Sequence, residues 1–330
     1  MSYYFTGILL LSLVLTALSL RFLIPVLKSK KMEQKILDIG PRWHISKEGT
    51  PTMGGLSFFL TTIIITVLIS FYVLKFEPDR FPLLICTVLL GLLNGLVGII
   101  DDKAKLTKKQ NEGLKAWQKY FLQLAVCALY LLAMTKFGYI STSFYIPFAG
   151  TTLELGAVYY FFAIILITGT VNSVNLGDGI DGLAASEGAI IAAFFAVTSY
   201  IAGNATSSLI SGMLFGICIG FLIYNFYPAK VFMGDTGSLF LGGMIVGLAY
   251  SVGNPLIVII VGFMYMLESI SVILQVGYFR ITHGKRLFKI APIHHHFEKC
   301  GWSEKKIVSV FSLITLILCV ISAVLETAVR

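Results

Sequence analysis

The sequence predicts an all-α polytopic membrane protein with ten transmembrane helices, forming a single integral membrane domain over residues 1–330. Of the 330 residues, 57% are hydrophobic and only 13% are charged, roughly half the charged share of a water-soluble domain. Apolar runs of about 20 residues, the length that crosses a bilayer core as a helix, recur along the whole chain. This composition excludes a disordered chain, a nucleic-acid-binding module and a secreted disulfide-stabilised domain.

Each predicted span is an apolar run bounded by charged or turn-forming residues. The first run has no Lys or Arg before it and continues past Arg21 to Pro25 without a convincing cleavage site, so we interpret it as a retained helix rather than a signal peptide. Turns such as 77–79 and 253–255 separate later spans. The ten predicted spans are 3–27, 54–75, 81–100, 117–135, 156–172, 183–203, 206–224, 237–252, 255–279 and 307–326.

Basic residues are distributed unevenly between the two sides of the predicted membrane. Ten spans leave five connecting segments on one side, and these segments hold 20 of the 25 Lys and Arg residues. Because cytoplasmic loops are enriched in Lys and Arg, we expect the five segments to be cytoplasmic and both termini to be extracytoplasmic. The five segments are 28–53, 101–119, 173–182, 225–236 and 280–306.

The acidic residues and histidines follow the same distribution, because the five segments also hold all five His and 11 of the 17 Asp and Glu residues. Acidic residues contribute little to membrane orientation, so topology does not explain this concentration. We therefore expect the active site to be formed by the cytoplasmic loops. On the other side, only segment 136–155 is long enough for structure of its own, and Tyr139, Tyr145 and Gly150 indicate a small hairpin there.

Two adjacent carboxylates, Asp101 and Asp102, follow the third predicted span and precede Lys103 and Lys105. Magnesium prefers oxygen ligands and lysines bind phosphates. The pattern therefore suits a magnesium or phosphate site at the membrane boundary. Paired acids also occur at ordinary solvated helix ends, and this segment alone does not decide between the two interpretations.

Asparagine and aspartate recur every third residue before the sixth predicted span, at Asn172, Asn175, Asp178 and Asp181. An asparagine side chain both donates and accepts hydrogen bonds, and a carboxylate accepts them from hydroxyl and N–H groups. The segment therefore indicates recognition by hydrogen bonding more than catalysis. We expect the glycines among these residues to let the backbone approach a ligand closely.

Three further segments carry candidate site residues. Asp235 lies between two glycines at the start of the eighth span, where it could cap the helix or hold a metal with a phosphate oxygen at the positive helix end.

Residues 294–296 are consecutive histidines; neighbouring helical residues do not share a face, so we expect only one or two to face a site. Segment 47–55, with a Lys, two Thr and two terminal glycines, suits either a phosphate contact or an ordinary turn into the membrane.

Together these segments resemble the polyprenyl-phosphate N-acetylhexosamine-1-phosphate transferase superfamily. The resemblance covers nearly the whole chain, from segment 47–55 to the histidines, and the family has ten spans with both termini outside. Segments 228–238 and 292–298 are similar to the branch that acts on a muramoyl-pentapeptide substrate. One departure is Gly177, where the family usually has Thr, and we expect from it at most a local change in loop stiffness.

The resemblance implies an Mg²⁺-dependent transferase in the bacterial plasma membrane. It would transfer phospho-MurNAc-pentapeptide from UDP-MurNAc-pentapeptide to undecaprenyl phosphate, giving lipid I and UMP in peptidoglycan synthesis, and it could be a homodimer. Asp101 matches a residue that either deprotonates the lipid phosphate or attacks as a nucleophile, and the sequence does not choose between these roles. The residues matching catalytic positions are Asp101, Asp102, Asp235 and His294, of which Asp235 matches the metal ligand.

The resemblance also implies the residues that line the nucleotide and phosphate pocket. Phe232 would stack on uracil, and Asp181 would hydrogen-bond the nucleoside. The expected substrate-binding residues are Lys47, Thr52, Lys105, Asn172, Asn175, Asp178, Asp181, Asn225, Phe232, Gln275, His295 and His296.

Two other functions remain open from the sequence. A GlcNAc-1-phosphate transferase shares the Asp-Asp pair and the Asn/Asp segment, and it is disfavoured chiefly by the three histidines. A transporter would place ionisable residues near the bilayer midplane, and only Glu187 and Glu268 are candidates for that position.

Overall fold

A computed structural model describes residues 2–30, 32, 47–108, 113–146 and 150–329. Much of the predicted segment 28–53, part of 101–119 and Arg330 lie outside the described residues. The described chain is almost entirely helical, with one two-stranded hairpin. The elements are α1 (Ser2–Ser29), α2 (Leu56–Phe76), α3 (Phe81–Lys108), α4 (Ala116–Lys136), β1 (Ser143–Ile146), β2 (Thr151–Glu154), α5 (Val158–Gly177), α6 (Leu183–Ile201), α7 (Ala205–Asn225), α8 (Gly234–Ser251), α9 (Ile257–Val261), α10 (Phe263–Ile281), α11 (Ile293–Lys299) and α12 (Glu304–Val329).

Eight helices in the described ranges are long and apolar enough to cross a membrane: α1 to α7 and α12. They confirm a mostly helical, multi-pass membrane protein. The other two predicted spans, 237–252 and 255–279, overlap α8 and the pair α9 and α10, which are not among these eight. Both contain polar residues within the helix, with a carboxylate in the first turn of α8 and Glu268 in α10.

Helix α8 lies at the centre of the bundle. All of its residues from Thr236 to Ser251 are buried, and it packs chiefly against α3 and α5, with further contacts to α2, α6, α7 and α9. At its closest point, a Cβ atom on Gly98 of α3 would lie 2.1 Å from the carbonyl oxygen of Asp235. Because α8 faces protein on every side, it does not need the apolar surface that lipid-facing helices require.

The peripheral helices show the opposite pattern. Their most apolar 18-residue windows are 22% buried in α1 and 28% buried in α4, compared with 78% in α7. Large apolar side chains such as Leu60, Phe71 and Leu132 are exposed on these outer surfaces. Exposed apolar area of this extent is unusual for a soluble monomer and suits contact with lipid hydrocarbon.

The ninth predicted span, 255–279, is divided in the structure. Pro255 lies in the turn that precedes α9, and the helix is interrupted once more at Gly262, whose φ and ψ are −95° and 15°. The N–H of Gly262 still donates to the carbonyl of Val258 at 2.8 Å. The interruption is therefore a local distortion at one residue between α9 and α10.

The predicted hairpin in segment 136–155 is confirmed. Strands β1 and β2 pair antiparallel, with Ser143 opposite Glu154 and Ile146 opposite Thr151. Residues 147–149 and the side chain of Tyr145 lie outside the described part of the chain. The hydroxyl of Tyr139 donates to the carbonyl of Asp79, which connects the base of the hairpin to the turn between α2 and α3.

Candidate functional site

A cluster of carboxylates and lysines lies where α3, α4, α5 and α8 meet. Asp101 is at the end of α3 and Asp235 is in the first turn of α8. Lys105 bridges them, because its Nζ lies 2.9 Å from Asp101 Oδ2 and 2.8 Å from Asp235 Oδ2. Lys119 of α4 adds a second ammonium group, 2.7 Å from Asp235 Oδ2. Two lysine ammonium groups thus lie among the carboxyl groups of Asp101 and Asp235 at the edge of the bundle.

Asn175 completes this carboxylate–lysine cluster from α5. Its Nδ2 donates to Asp235 Oδ1 at 2.9 Å and to Ser238 Oγ at 2.7 Å, and its Oδ1 accepts from Lys119 Nζ at 3.1 Å. Asp101 is oriented in turn by the backbone N–H of Leu114, which donates to its Oδ1 at 2.7 Å. Residues from four separate sequence segments therefore hold one another in a single arrangement.

Asp102 faces a different partner from its neighbour Asp101. Its Oδ2 accepts from the N–H of Thr236 at 2.9 Å and from Thr236 Oγ1 at 2.7 Å, while its Oδ1 accepts from the N–H of Asp235 at 3.2 Å. A carboxylate is favoured at the positive end of a helix. Asp102, rather than Asp235, thus caps α8, which leaves the Asp235 side chain directed at the lysines.

The lysines also affect the ionisation of Asp235. Burial alone would raise the pKa of Asp235, but hydrogen bonding with Asp101 and the two lysine ammonium groups lower this pKa well below its usual range. Asp235 is therefore ionised at physiological pH. Asp178 behaves in the opposite way, because burial and the negative charges of neighbouring carboxylates raise its pKa well above the usual range.

A second cluster joins the first described loop to the Asn/Asp segment and to α12. Lys47 Nζ lies 2.7 Å from Asp181 Oδ1 and 2.7 Å from Glu304 Oε2. The N–H of Asp181 donates to Glu304 Oε2 at 3.1 Å, and Asp181 Oδ2 accepts from the N–H of Ala229 at 2.8 Å. Both carboxylate oxygens of Asp181, predicted to bind the nucleoside, thus already have partners within the protein.

The three histidines point to different partners, as expected for neighbouring helical residues. His294 is 1% exposed, and its Nδ1 lies 3.0 Å from Glu268 Oε2. His295 Nδ1 lies 2.5 Å from Glu298 Oε2. His296 Nδ1 accepts from the N–H of Lys289 at 3.1 Å. The rings of His294 and His295 are nevertheless neighbours, with centroids 4.1 Å apart, whereas the His296 ring packs against Phe288.

Two of the predicted binding residues connect loops. Asn225 is 2% exposed; its Oδ1 accepts from the N–H of Gly182 at 3.1 Å, and its Nδ2 donates to the carbonyl of Val231 at 2.9 Å. Gln275 Oε1 accepts from the N–H of Phe288 at 2.8 Å. In the structure these amides hold the backbone around the site.

Asn172, Thr52 and Phe232 are also fixed by protein contacts. Asn172 Nδ2 donates to Gln123 Oε1 of α4 at 2.8 Å. The N–H of Phe232 donates to the carbonyl of Pro51 at 2.9 Å, and the N–H of Thr52 donates to the carbonyl of Met32 at 2.9 Å. Phe232 remains partly exposed as a residue.

The glycines of the Asn/Asp segment have close neighbours within the protein. A Cβ atom on Gly179 would lie 2.1 Å from His294 Nε2, and one on Gly177 would lie 2.9 Å from Cδ1 of Tyr265. The sequence prediction assigned these glycines to close approach of a ligand, whereas the structure shows close approach of side chains from α10 and α11. This chain has Gly177 where the family usually has Thr. In the structure a side chain at this position would meet the ring of Tyr265.

Four residues with contacts in or beside the site were not among the predicted site residues: Lys119, Gln123, Glu268 and Glu304. Lys119 was counted only as one of the basic residues that set membrane orientation, and Glu268 only as a candidate for transport. The sequence signal that could have identified Lys119 is its place in the same predicted loop as Asp101. Glu304 gives no such signal, because its partner Lys47 is distant in sequence.

The donor atoms of the carboxylate–lysine cluster fit a magnesium ion shared with a substrate. Within the described residues, no three His, Cys, Asp or Glu side chains are grouped so as to hold a metal by themselves. Magnesium usually takes one or two protein carboxylates together with substrate phosphates and water. Asp235 supplies one such carboxylate, and that of Asp101 lies beside it, the two being 2.8 Å and 2.9 Å from the same ammonium group.

The chain is similar to known proteins over most of its length. Residues 83–253 match the family model for glycosyl transferase family 4, and residues 47–59 match the phospho-N-acetylmuramoyl-pentapeptide-transferase signature 1. The chain is 46% identical over 300 residues to the phospho-N-acetylmuramoyl-pentapeptide-transferase of Clostridium botulinum strain Eklund 17B, covering 90% of this chain and 89% of that protein.

Two further relatives show the same degree of similarity. The phospho-N-acetylmuramoyl-pentapeptide-transferase of Clostridium novyi strain NT is 45% identical over 312 residues, which cover 94% of each chain. The protein of that name from Clostridium kluyveri strain ATCC 8527 is 44% identical over 299 residues, which cover 91% of this chain and 92% of the relative.

Proposed function

This chain belongs to the phospho-N-acetylmuramoyl-pentapeptide-transferase family, and on that basis we propose that it transfers phospho-MurNAc-pentapeptide from UDP-MurNAc-pentapeptide to undecaprenyl phosphate. The products are lipid I and UMP, in the membrane stage of peptidoglycan synthesis. The structural observation that carries the proposal is the carboxylate–lysine cluster, in which Asp101 and Asp235 lie within 2.9 Å of the Lys105 ammonium group. This arrangement suits the meeting of two phosphate-bearing substrates.

The first task of such a site is to neutralise charge, because one phosphate must attack another. Lys105 and Lys119 would bind phosphate oxygens of the donor and acceptor. These oxygens would replace the carboxylates as partners of the two ammonium groups. Asp235 would bind Mg²⁺, with Asn175 orienting its carboxylate. When bound, the ion would polarise the diphosphate and stabilise the charge on the departing UMP.

Asp101 is the candidate for the reacting carboxylate. Its Oδ1 is held by the N–H of Leu114 and its Oδ2 lies against Lys105, so its orientation is fixed before substrate binds. In one scheme it accepts a proton from the lipid phosphate, which then displaces UMP from the donor. In the other, Asp101 itself attacks the sugar-bearing phosphorus and displaces UMP, and the lipid phosphate then attacks the resulting acyl phosphate and releases the carboxylate; both schemes remain open. Asp102, through its hydrogen bonds to the start of α8, would keep Asp235 in position.

The nucleotide would bind on the side of the Asn/Asp segment. The ring of Phe232 would stack on uracil, and Asp181 would accept a hydrogen bond from the nucleoside while it retains Lys47. A carboxylate offers about four lone-pair sites, so the contacts of Asp181 to Lys47 and Ala229 leave acceptor capacity. His294, His295 and His296 would lie towards the sugar-phosphate end.

We further propose that the chain crosses the plasma membrane ten times with both termini outside. In this arrangement α8 and the α9–α10 pair add to the eight strongly apolar helices, and the site faces the cytoplasm. The soluble donor would then meet the phosphate of the lipid acceptor at the inner membrane surface. A homodimer is consistent with the family but is a separate proposal.

The choice of donor tests the proposed function directly. Purified protein in detergent with undecaprenyl phosphate and Mg²⁺ is offered UDP-MurNAc-pentapeptide or UDP-GlcNAc, and UMP release is measured. We expect release with UDP-MurNAc-pentapeptide and none above background with UDP-GlcNAc. Release only with UDP-GlcNAc would indicate a GlcNAc-1-phosphate transferase, and no release with either donor would contradict transferase function.

A further inference from the structure

Behind the Asn/Asp segment lies a buried carboxylate that the proposed mechanism does not use. Glu268, in the second turn of α10, is 1% exposed, and its Oε2 lies 3.0 Å from Nδ1 of His294, which is also 1% exposed. The backbone N–H of His294 approaches the same oxygen at 3.4 Å. One carboxylate oxygen thus contacts both the backbone and the side chain of the first histidine of the triplet.

The other side of the His294 ring faces the Asn/Asp segment. Within the described residues neither ring nitrogen makes a hydrogen bond: Nδ1 lies beside the Glu268 carboxylate, and Nε2 is buried against the Asn/Asp segment. A Cβ atom on Gly179 would lie 2.1 Å from this nitrogen and 2.5 Å from the adjacent Cε1. The ring therefore occupies the volume that a side chain at position 179 would take, beside Asp178. A buried polar atom without a partner is costly in free energy, and its direction towards substrate-binding residues suggests that a ligand atom completes its hydrogen bonding.

The ring of His294 packs against that of His295, with centroids 4.1 Å apart, and Glu268 is the buried carboxylate beside it. Tyr265, one turn earlier on α10, donates its hydroxyl to the carbonyl of Ala184 at 2.5 Å and is thereby engaged elsewhere. Glu187 of α6 is also buried, at 2% exposure, but the histidine contacts found in the structure do not include it. Of the two buried glutamates, only Glu268 contacts His294.

We propose that Glu268 is a positioning residue, which fixes the His294 ring so that Nε2 points into the substrate site at Gly179. This inference rests on the proposed function. The backbone N–H of His294 donates to Glu268 Oε2, and the same oxygen lies 3.0 Å from Nδ1. The carboxylate thus attracts the Nδ1 side of the ring, which leaves Nε2 to contact an anionic or hydroxyl oxygen of the bound substrate.

A double-mutant cycle tests this inference. His294→Ala, Glu268→Gln and the double variant are compared by kcat and by the affinity for UDP-MurNAc-pentapeptide. If Glu268 acts through His294, Glu268→Gln lowers kcat about tenfold or more, and adding it to His294→Ala lowers kcat no further. Independent structural effects would instead multiply. Glu268→Asp, which keeps the charge with a shorter reach, is expected to recover part of the loss.

Glu187→Gln is the matched control, because it removes a carboxylate of similar burial that does not contact His294. It should leave kcat within about twofold of the parent. Multiplicative losses in the double variant, or an equal loss in Glu187→Gln, would overturn the inference. If Glu268→Gln does not fold, Gly179→Ala replaces it in the cycle, since the added Cβ would displace the same ring.

A structure of the Glu268→Gln protein gives a readout that does not depend on turnover. We expect the His294 ring to rotate away from Gly179, and an unchanged ring would contradict the inference even if the protein were inactive. A failure of the proposed function would give a different result from a failure of this inference, because the parent protein itself would then release no UMP.

Discussion

At the scale of single residues, two adjacent aspartates of the same helix have different contacts. Asp101 contacts Lys105 and the N–H of Leu114, whereas Asp102 accepts three hydrogen bonds from the start of α8. Residues i and i+1 of a helix point in different directions, so an adjacent pair can serve two elements at once. Mutations at the two positions should therefore produce different defects.

Replacing Asp102 should remove the cap at the start of α8. Asp102→Ala should lower the free energy of unfolding by about 1–2 kcal/mol and should also reduce activity, because Asp235 lies in the capped turn itself. The measurement is thermal unfolding together with UMP release. Thr236→Val is the matched control, since it removes one of the three hydrogen bonds and leaves the carboxylate. A fully stable Asp102→Ala protein would refute the capping role.

For Asp235 and Asp101, we expect defects in metal use and in chemistry, respectively. Asp235→Asn should lose activity at ordinary Mg²⁺ concentrations because the amide is a weaker ligand than the carboxylate. Asp101→Asn should abolish turnover while UDP-MurNAc-pentapeptide still binds. Activity across an Mg²⁺ titration and nucleotide affinity are the measurements. Normal activity of Asp235→Asn would remove the ligand assignment, and lost nucleotide affinity in Asp101→Asn would assign that residue to binding.

For Asp178, we expect a stability change that depends on pH. The raised pKa means that the folded protein retains a proton more strongly than the unfolded chain. Stability is therefore lost as pH rises from about 4, the ordinary pKa of Asp, through the higher folded value. Asp178→Asn removes this loss, so the variant should exceed the parent in unfolding temperature by more at about pH 8 than at about pH 5.

The unfolding temperatures for Asp178 should be measured in detergent without substrate or Mg²⁺, so that only folding is compared. An advantage of the Asn variant that is the same at both pH values would contradict a titrating Asp178. The same variant should bind the UDP-sugar more weakly if Asp178 recognises it through its carboxylate, which separates stability from recognition.

At the scale of elements, the position of Asp235 depends on the contact between α3 and α8. Gly98 brings the two backbones together, because a Cβ atom there would lie 2.1 Å from the Asp235 carbonyl oxygen and 2.6 Å from the N–H nitrogen of Thr236. Both of these atoms are backbone and cannot move independently of the helix. The separation of the two helices therefore determines where the Asp235 carboxylate lies.

Gly98→Ala should displace the start of α8, destabilising the protein by about 1–3 kcal/mol and lowering activity more than this stability loss explains. Gly169→Ala is the matched control, since a Cβ atom at that helical position in α5 meets nothing within 4 Å; it should leave activity unchanged. Unfolding temperature and UMP release are measured for both. Equal behaviour of the two variants would show that the α3–α8 contact does not control the site.

The helices were predictable from the sequence because hydrocarbon-facing helices carry long apolar runs. Each of the ten predicted spans overlaps a helix, but some ends differ: α3 continues eight residues beyond the predicted end and α5 five residues beyond it. Asp101, Asp102 and Asn175, predicted to lie in loops, therefore lie in the last turns of these two helices. The interruption at Gly262 was not predicted, since a single glycine within an apolar run gives no clear signal. The hairpin between α4 and α5 was predictable from its turn residues, whereas its pairing register required the structure.

The site was predictable only in part. Asp101, Asn175, Asp235 and Lys105 were identified from spacing and resemblance, and the structure brings them together. Lys119 and Glu304 were not, because a lysine or glutamate near a membrane boundary is usually a solvated charge, and their partners lie in distant segments. The histidine that faces the Asn/Asp segment is the one that contacts Glu268 of α10. The three consecutive histidines in the sequence do not show which of them this is.

At the scale of the whole molecule, the site residues gather at one end of the helical bundle. The contacts of Lys47, Asp101, Asp181, Asp235 and Glu304 join loops that the distribution of basic residues assigns to one side. The other ends are joined separately, for example by Glu77, whose Oε2 accepts from the N–H of Thr206 at 2.9 Å. The two ends of the bundle should therefore face different compartments.

Cysteine labelling in whole cells tests this orientation. The exposed native Cys300 is first replaced by Ser, and Thr151→Cys in the hairpin is compared with Lys285→Cys in the loop after α10. An impermeant thiol reagent should label the hairpin cysteine in intact cells and the loop cysteine only after permeabilisation. Labelling of the loop alone in intact cells would reverse the proposed topology.

The complete enclosure of α8 has a consequence for biogenesis. A helix that carries a carboxylate in its first turn and small residues along its length partitions weakly into lipid by itself, because insertion depends on the hydrophobicity of the individual segment. We therefore expect α8 to enter the bilayer only with α3 and α5 already there to receive it. The carboxylate of Asp235 then meets its lysines late in assembly, and a partly inserted chain would have no competent centre.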